Sequence, residues 1–85
     1  MGKFEKVLHR VLSGEADANI VFDDLCWLLE RLGFDGRISG SHHIYKHANL
    51  NRTLNVQPRR DGKAKDYQVG QARLALNILL ENEEK

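Results

Sequence analysis

The residues best suited to chemistry lie together at positions 40–47, where the sequence reads Gly-Ser-His-His-Ile-Tyr-Lys-His. A turn is followed there by two adjacent imidazoles, a phenol and an ammonium group. Histidine can act as acid or base near neutrality, because its ordinary pKa is about 6.5. A histidine at the mouth of a strand, beside groups that bind phosphate, suits the cleavage of RNA.

Metal-free cleavage of RNA requires a group that takes the proton from the ribose 2′-hydroxyl, a group that protonates the leaving 5′-oxygen, and cations that stabilise the phosphorane. His42 is the candidate for proton transfer. The candidates for binding phosphate and the RNA backbone are Ser41, Tyr45, Lys46, Arg37, Arg59, Arg60, Lys63 and Lys65. The structural alternative is that His42 is a turn residue bonded to backbone carbonyls.

A metal site is the first rival, because three histidines lie within six residues. In an extended strand His43 and His47 share a face but lie about 13 Å apart, at roughly 3.3 Å per residue. Zinc needs its ligand nitrogens within about 2.1 Å, so one ion cannot bind both rings. His42 and His43 point to opposite faces, and the nearby loop has no Cys. We therefore expect no metal and no other cofactor.

Charge is segregated along the chain, although its 85 residues carry a net charge of only +1. Residues 36–65 contain seven basic side chains and one acidic side chain, and the segments on either side are net acidic. Such a basic centre suits a polyanion, because each neutralised phosphate releases counterions. The alternative is a solvated loop whose charges serve solubility.

Length and composition indicate a small cytoplasmic protein. A chain this short forms one domain with a modest core, so we expect residues 1–85 to fold as one unit. The single Cys26 excludes an intramolecular disulfide, and no apolar run approaches the roughly 18 residues of a membrane span. The opening Met-Gly-Lys-Phe is not that of a signal peptide. We expect no membrane association.

Apolar spacing of three and four residues predicts three helices. The first, which ends at Ser13-Gly14, presents Phe4, Val7, Leu8, Val11 and Leu12. The second, which stops at Gly33, presents Phe22, Leu25, Leu28, Leu29 and Leu32. The last begins at Asp66 and presents Val69, Ala72, Leu76, Leu79 and Leu80. Trp27 lies off the second stripe, and we expect it to cover the first helix.

After Phe34 the apolar period changes to two, which predicts strands over residues 37–39, 42–47 and 53–57. In the third strand Leu54 and Val56 point one way, and Asn55 and Gln57 point the other. One face of the sheet then packs on helices while the other meets water or ligand. The predicted fold is a two-layer α+β domain with three antiparallel strands.

The segment from Leu32-Gly33-Phe34 through the 40–47 element to the last helix resembles the HicA toxin family of bacterial toxin–antitoxin systems. The resemblance covers about residues 20–80 and implies a double-stranded-RNA-binding-domain-like α-β-β-β-α fold, to which residues 1–14 add a helix. It also implies mRNA cleavage through one histidine, and inhibition by a HicB antitoxin that covers it. By position that histidine is His42. Some relatives carry it one place later, which keeps His43 as second choice.

Two features depart from the family pattern. Many members continue the third strand into Val-Pro-x-His, whereas Val56-Gln57-Pro58 is followed here by Arg59 and Arg60. We therefore expect different phosphate contacts in this loop. The additional N-terminal helix is expected to enlarge the core or to form a contact between copies of the chain.

Three hypotheses follow from these observations. The first is an mRNA interferase toxin whose partners are mRNA and a HicB-type antitoxin. The second is a non-catalytic RNA-binding module that reads shape and phosphates, which predicts salt-sensitive binding without cleavage. The third is an interaction protein that docks a partner through its first helix and Trp27. Growth arrest relieved by an adjacent antitoxin gene would separate the first from the others.

Overall fold

Two helices precede a three-stranded sheet in the chain and a third follows it. The computed structural model describes residues 2–83. Its elements are α1 (Lys3–Ser13), a short 3₁₀ turn (Asp17–Asn19), α2 (Phe22–Arg31), β1 (Asp35–Ser39), β2 (His42–Lys46), β3 (Leu54–Val56) and α3 (Asp66–Glu83). The strands pair antiparallel in the order β1-β2-β3. The α+β prediction is confirmed, with α1 as the additional N-terminal helix.

The strand ends differ slightly from the predicted ones. β1 begins two residues earlier, at Asp35, because this residue pairs with Lys46 at the end of β2. β2 stops before His47, whose Nε2 lies 3.2 Å from the Leu32 carbonyl oxygen and whose Nδ1 accepts the backbone N–H of Asn49. His47 therefore closes the loop after β2 by local hydrogen bonds.

The core lies between the helices and one face of the sheet. Its largest fully buried side chains are Leu25, Leu28, Leu29, Leu76, Val11, Val56 and Val69. Each such burial stabilises the fold by about 1.5–3 kcal/mol relative to exposure. Leu80, which belongs to the apolar stripe of the last helix in the sequence, is 38 % exposed. The buried face of α3 includes Ala75 instead, together with Leu76 and Leu79.

α1 packs against both α2 and α3, so the N-terminal helix enlarges the core. Trp27 meets Phe4 edge-to-face with ring centroids 6.4 Å apart, which confirms that it covers α1. Where α3 meets α1, the Arg73 guanidinium donates to both carboxylate oxygens of Asp17, at 2.8 and 3.0 Å, and to the Val11 carbonyl at 3.2 Å. These contacts tie α3 to α1 and to the turn that follows it.

No helix within residues 2–83 combines the length and the apolar character that crossing a bilayer requires.

Candidate active site

A tight hairpin turn fixes His42 at the start of β2. Ser39 pairs with His42, so Gly40 and Ser41 form a two-residue loop between the strands. Gly40 has a φ of 61°, and among the described residues only glycines have positive φ. This pattern is that of a type II′ turn, which places glycine at its first central position. The turn leaves Ser41 and His42 exposed.

The alternation of side chains places the two adjacent histidines on opposite faces of the sheet. We call the uncovered side the open face; its residues are Asp35, Arg37, Ser39, His42, Ile44, Lys46 and Asn55. His43 and Tyr45 lie on the face that the helices cover. The exposure of His42 is what its proposed catalytic role requires.

Two amide side chains hold the His42 ring. Its Nδ1 lies 3.1 Å from Asn55 Oδ1, and Gln57 Nε2 lies 2.8 Å from its Nε2 and 3.1 Å from its Nδ1. Gln57 is itself fixed, because the Lys65 ammonium donates to its Oε1 at 2.7 Å and its backbone N–H donates to Gln68 Oε1 at 2.7 Å. Gln68 is 6 % exposed, so hydrogen bonds connect the exposed ring to the first turn of α3.

The donors in this chain of contacts indicate which His42 nitrogen can accept a proton. A lysine ammonium only donates, so Gln57 presents its oxygen to Lys65 and its NH2 group to His42. Asn55 presents an oxygen only to Nδ1, and Gln57 lies closer to Nε2, so a neutral ring fits when its Nδ1–H donates to Asn55 and its Nε2 accepts from Gln57. In this assignment Nε2 carries the lone pair that could take a proton from a ligand.

His43 belongs to the packing beneath the sheet. Its ring meets Phe22 edge-on, with centroids 4.9 Å apart, and its Nδ1 lies 4.0 Å from Cys26 Sγ. Cys26 is buried, and desolvation raises the pKa of its thiol, which keeps it protonated near neutral pH. These contacts give His43 a structural environment, in contrast to the exposed ring of His42.

Tyr45, which the sequence placed among the phosphate ligands, is 3 % exposed. Its hydroxyl donates to Glu30 of α2 at 3.4 Å, and burial raises the pKa of its phenol. The structure does not bring Tyr45 together with His42, because residues an odd number of positions apart in a strand point to opposite faces. Its position indicates that it joins β2 to α2.

The predicted cations fall into two groups. Arg37 and Lys46 are exposed on the open face that carries His42, and Lys65 reaches this site through Gln57. The exposed Arg60 lies, with Arg59 and Lys63, on the loop that follows β3.

Arg59 and Lys63 turn away from His42 toward the 3₁₀ turn. The Arg59 guanidinium donates to the Ala18 carbonyl at 3.0 Å and pairs with Asp61 at 2.8 Å. The Lys63 ammonium donates to Asn19 Oδ1 at 3.0 Å. The backbone N–H of Lys63 and the Arg59 side chain hold the pKa of the Asp61 carboxyl below its usual value.

Asn55 and Gln57 are the contacts of His42 that sequence reasoning did not assign to the site. The alternation of the third strand had placed both on the ligand side of the sheet, and this was the available signal. Within residues 2–83, no three His, Cys, Asp or Glu side chains are grouped so as to hold a metal ion.

Comparison with protein families gives one finding. A family model described as the HicA toxin of bacterial toxin–antitoxin systems matches residues 22–75, which is more than half of the 85-residue chain. The match begins at α2, includes the sheet and the His42 contacts, and ends inside α3; α1 lies outside it. The searches of curated proteins and of solved structures returned no match.

Proposed function

Because this chain belongs to the HicA toxin family of bacterial toxin–antitoxin systems, we propose that it is a metal-independent mRNA endoribonuclease of the cytoplasm that uses His42 and is neutralised by a HicB-type antitoxin. The observation that carries the proposal is the His42 ring, exposed on the open face and oriented by Asn55 and Gln57. Family membership supports a toxin with nuclease activity and a cognate antitoxin. The substrate and the chemistry of His42 are the proposal.

Cleavage begins when the ribose 2′-hydroxyl replaces the Gln57 NH2 group as donor to His42 Nε2. The proton passes to Nε2 while the 2′-oxygen attacks phosphorus, and the bond from phosphorus to the 5′-oxygen breaks. The 5′-oxygen takes a proton from the imidazolium so formed or from water. The products are a 2′,3′-cyclic phosphate and a 5′-hydroxyl. Asn55 keeps Nδ1 protonated and so leaves Nε2 free to act as the base.

Charge on the phosphorane requires cations close to His42. Lys65 lies one side chain away, behind Gln57, while Arg37 and Lys46 share the open face with the ring. Ser41 is exposed at the turn that precedes His42. We assign these four residues to the reacting phosphate and its neighbours.

The loop cations Arg59, Arg60 and Lys63 extend positive charge beyond the open face, and we assign them to the RNA backbone. We leave Tyr45 out of the RNA contacts because its side chain is buried. An antitoxin that covers the open face would block both His42 and these cations. Such an antitoxin should present acidic side chains to this surface.

The test is cleavage of a labelled RNA by the purified protein in EDTA, with identification of the 2′,3′-cyclic phosphate. His42→Ala should lower the rate by about 10²–10⁴-fold, the usual contribution of a general acid or base, with an unchanged melting temperature. His43→Ala is the matched control. It should keep cleavage but lower stability by about 0.5–1.5 kcal/mol, because it loses the edge contact with Phe22.

The reverse pattern, with activity lost only in His43→Ala, would transfer the catalytic role to His43. Binding of RNA without cleavage by the wild-type protein would support the non-catalytic RNA-binding module instead.

A further inference from the structure

The N-terminal helix, which lies outside the family match, carries its own basic groove. A cavity of about 390 Å³ lies between α1 and the start of α2; it is lined by Lys3, Lys6, Val7, Arg10, Ile20, Val21 and Asp24. Its floor is apolar, and three of its seven lining residues are cations from successive turns of α1. A groove of this composition suits an anion with an extended backbone.

Arg10 of this groove and Lys63 of the loop after β3 both donate hydrogen bonds to Asn19. The Arg10 guanidinium donates to the Asn19 carbonyl at 3.2 Å, and the Lys63 ammonium donates to the Asn19 side-chain oxygen at 3.0 Å. Arg59 reaches the preceding residue, Ala18, at its carbonyl. Three cations from two distant segments thus converge on the end of the 3₁₀ turn.

The acidic side chains near these cations already form ion pairs, two of them with Lys3 and Arg59 of the same basic surface. Asp24 pairs with Lys3 at 3.5 Å, and Asp61 pairs with Arg59. Asp17, in the 3₁₀ turn itself, pairs with Arg73 of α3. In the part of the chain that the structure describes, no carboxylate lies within 4 Å of the charged groups of Lys6, Arg10 and Lys63. Three positive charges without an ion-pair partner suit the phosphates of a nucleic-acid backbone.

The loop after β3 links the groove to the candidate active site, because it contacts both. Lys65 contacts Gln57, which contacts His42, and Lys63 lies two residues earlier in the same loop. A β-bridge between Val21 and Lys63 fixes this loop against the wall of the groove. This loop therefore carries Lys65 toward His42 and Lys63 toward Asn19, where the Arg10 side chain also lies.

We infer that Lys6 and Arg10 of α1, together with Lys63, bind the backbone of the RNA several nucleotides away from the phosphate at His42. This inference rests on the proposed nuclease function and adds to it a second, distal contact for the same strand. The contact is electrostatic, so it selects longer RNA chains over short ones without reading their bases.

The test measures binding of a fluorescent single-stranded RNA of 12 nucleotides to the non-cleaving His42→Ala protein, at several salt concentrations. Each lost phosphate contact should reduce the slope of log affinity against log salt by about 0.7. Lys6→Gln should therefore reduce it by about 0.7, and Lys6→Gln combined with Arg10→Gln by about 1.4. Arg52→Gln removes one charge from the loop between β2 and β3, remote from the groove, and should leave the slope unchanged.

The Lys6 side chain makes no hydrogen bond or ion pair in the described structure, so Lys6→Gln should fold normally. Slopes equal to that of the parent protein in both groove variants would overturn the inference. If the groove variants instead weaken only the complex with the purified antitoxin, the groove binds an acidic protein surface and the RNA assignment is wrong. Cleavage by the wild-type protein, measured separately, decides the proposed function: cleavage with unchanged slopes refutes the groove alone, whereas altered slopes without cleavage refute the nuclease alone.

Discussion

The contact between Gln57 and His42 predicts that one added charge will move the pH dependence of RNA cleavage. In Gln57→Glu, a carboxylate replaces the amide whose nitrogen lies 2.8 Å from His42 Nε2. A negative charge at this position stabilises the imidazolium relative to the neutral ring. Whether His42 acts as base or as acid, the limb of the pH–rate profile that it governs should move to higher pH.

The expected shift follows from distance and exposure. Opposite unit charges 4 Å apart attract by about 1 kcal/mol in water and by about 4 kcal/mol at an effective dielectric constant of 20. His42 is exposed, so the lower value applies, and 1.36 kcal/mol corresponds to one pH unit. The Lys65 ammonium, which contacts the other end of the side chain, offsets part of this attraction. We therefore expect a shift of about 0.5–1 pH unit.

The assay is the initial rate of cleavage of a fluorogenic RNA between pH 4.5 and 9 at constant ionic strength. The position of the limb is compared, not its height, because an added negative charge also weakens RNA binding. Asn51→Asp introduces the same charge in the exposed loop between β2 and β3 and should leave the limb in place. A Gln57→Glu protein that is folded and active with an unmoved limb would refute the contact between Gln57 and the titrating imidazole.

Two further predictions concern stability. Gly36→Ala should lower the free energy of unfolding by about 1–3 kcal/mol in urea denaturation, because the added Cβ would lie 2.5 Å from Cε1 of the buried Tyr45 ring. A loss as small as that of Ser39→Ala, on the open face of the same strand, would contradict this packing. The melting temperature should also fall as the pH rises above about 9, because the raised pKa of Cys26 and Tyr45 makes the unfolded chain release these protons first. Tyr45→Phe should flatten this fall, whereas Tyr67→Phe, at an exposed ring, should not.

Local patterns in the sequence were sufficient for the order of helices and strands. Apolar spacing located α1, α2 and α3, and Gly40-Ser41 indicated the hairpin turn that begins β2. The same alternation separated His42 from His43, because successive side chains of a strand point to opposite faces. It also implied that Tyr45 shares a face with His43, and placing Tyr45 at the phosphate overlooked this consequence.

The contacts of His42 required the pairing of strands and the packing of α3. Asn55 follows His42 by thirteen positions, and Lys65 reaches the ring only through Gln57. The sequence showed that Asn55 and Gln57 point to the ligand side. Which residue lies beside which depends on the register between β2 and β3, and several registers would satisfy the same alternation.

The sequence by itself determined the α+β class, the placement of His42 and His43 on opposite faces of β2 and the basic character of residues 36–65, because periodicity, turn chemistry and charge are local properties. The tertiary structure alone placed Lys6 and Arg10, from an N-terminal segment that is net acidic, beside Lys63. Their proximity depends on how α1 docks on α2 and α3. An apolar stripe shows that one side of a helix is buried. It does not show which polar residues of neighbouring elements will lie beside the helix once it has docked.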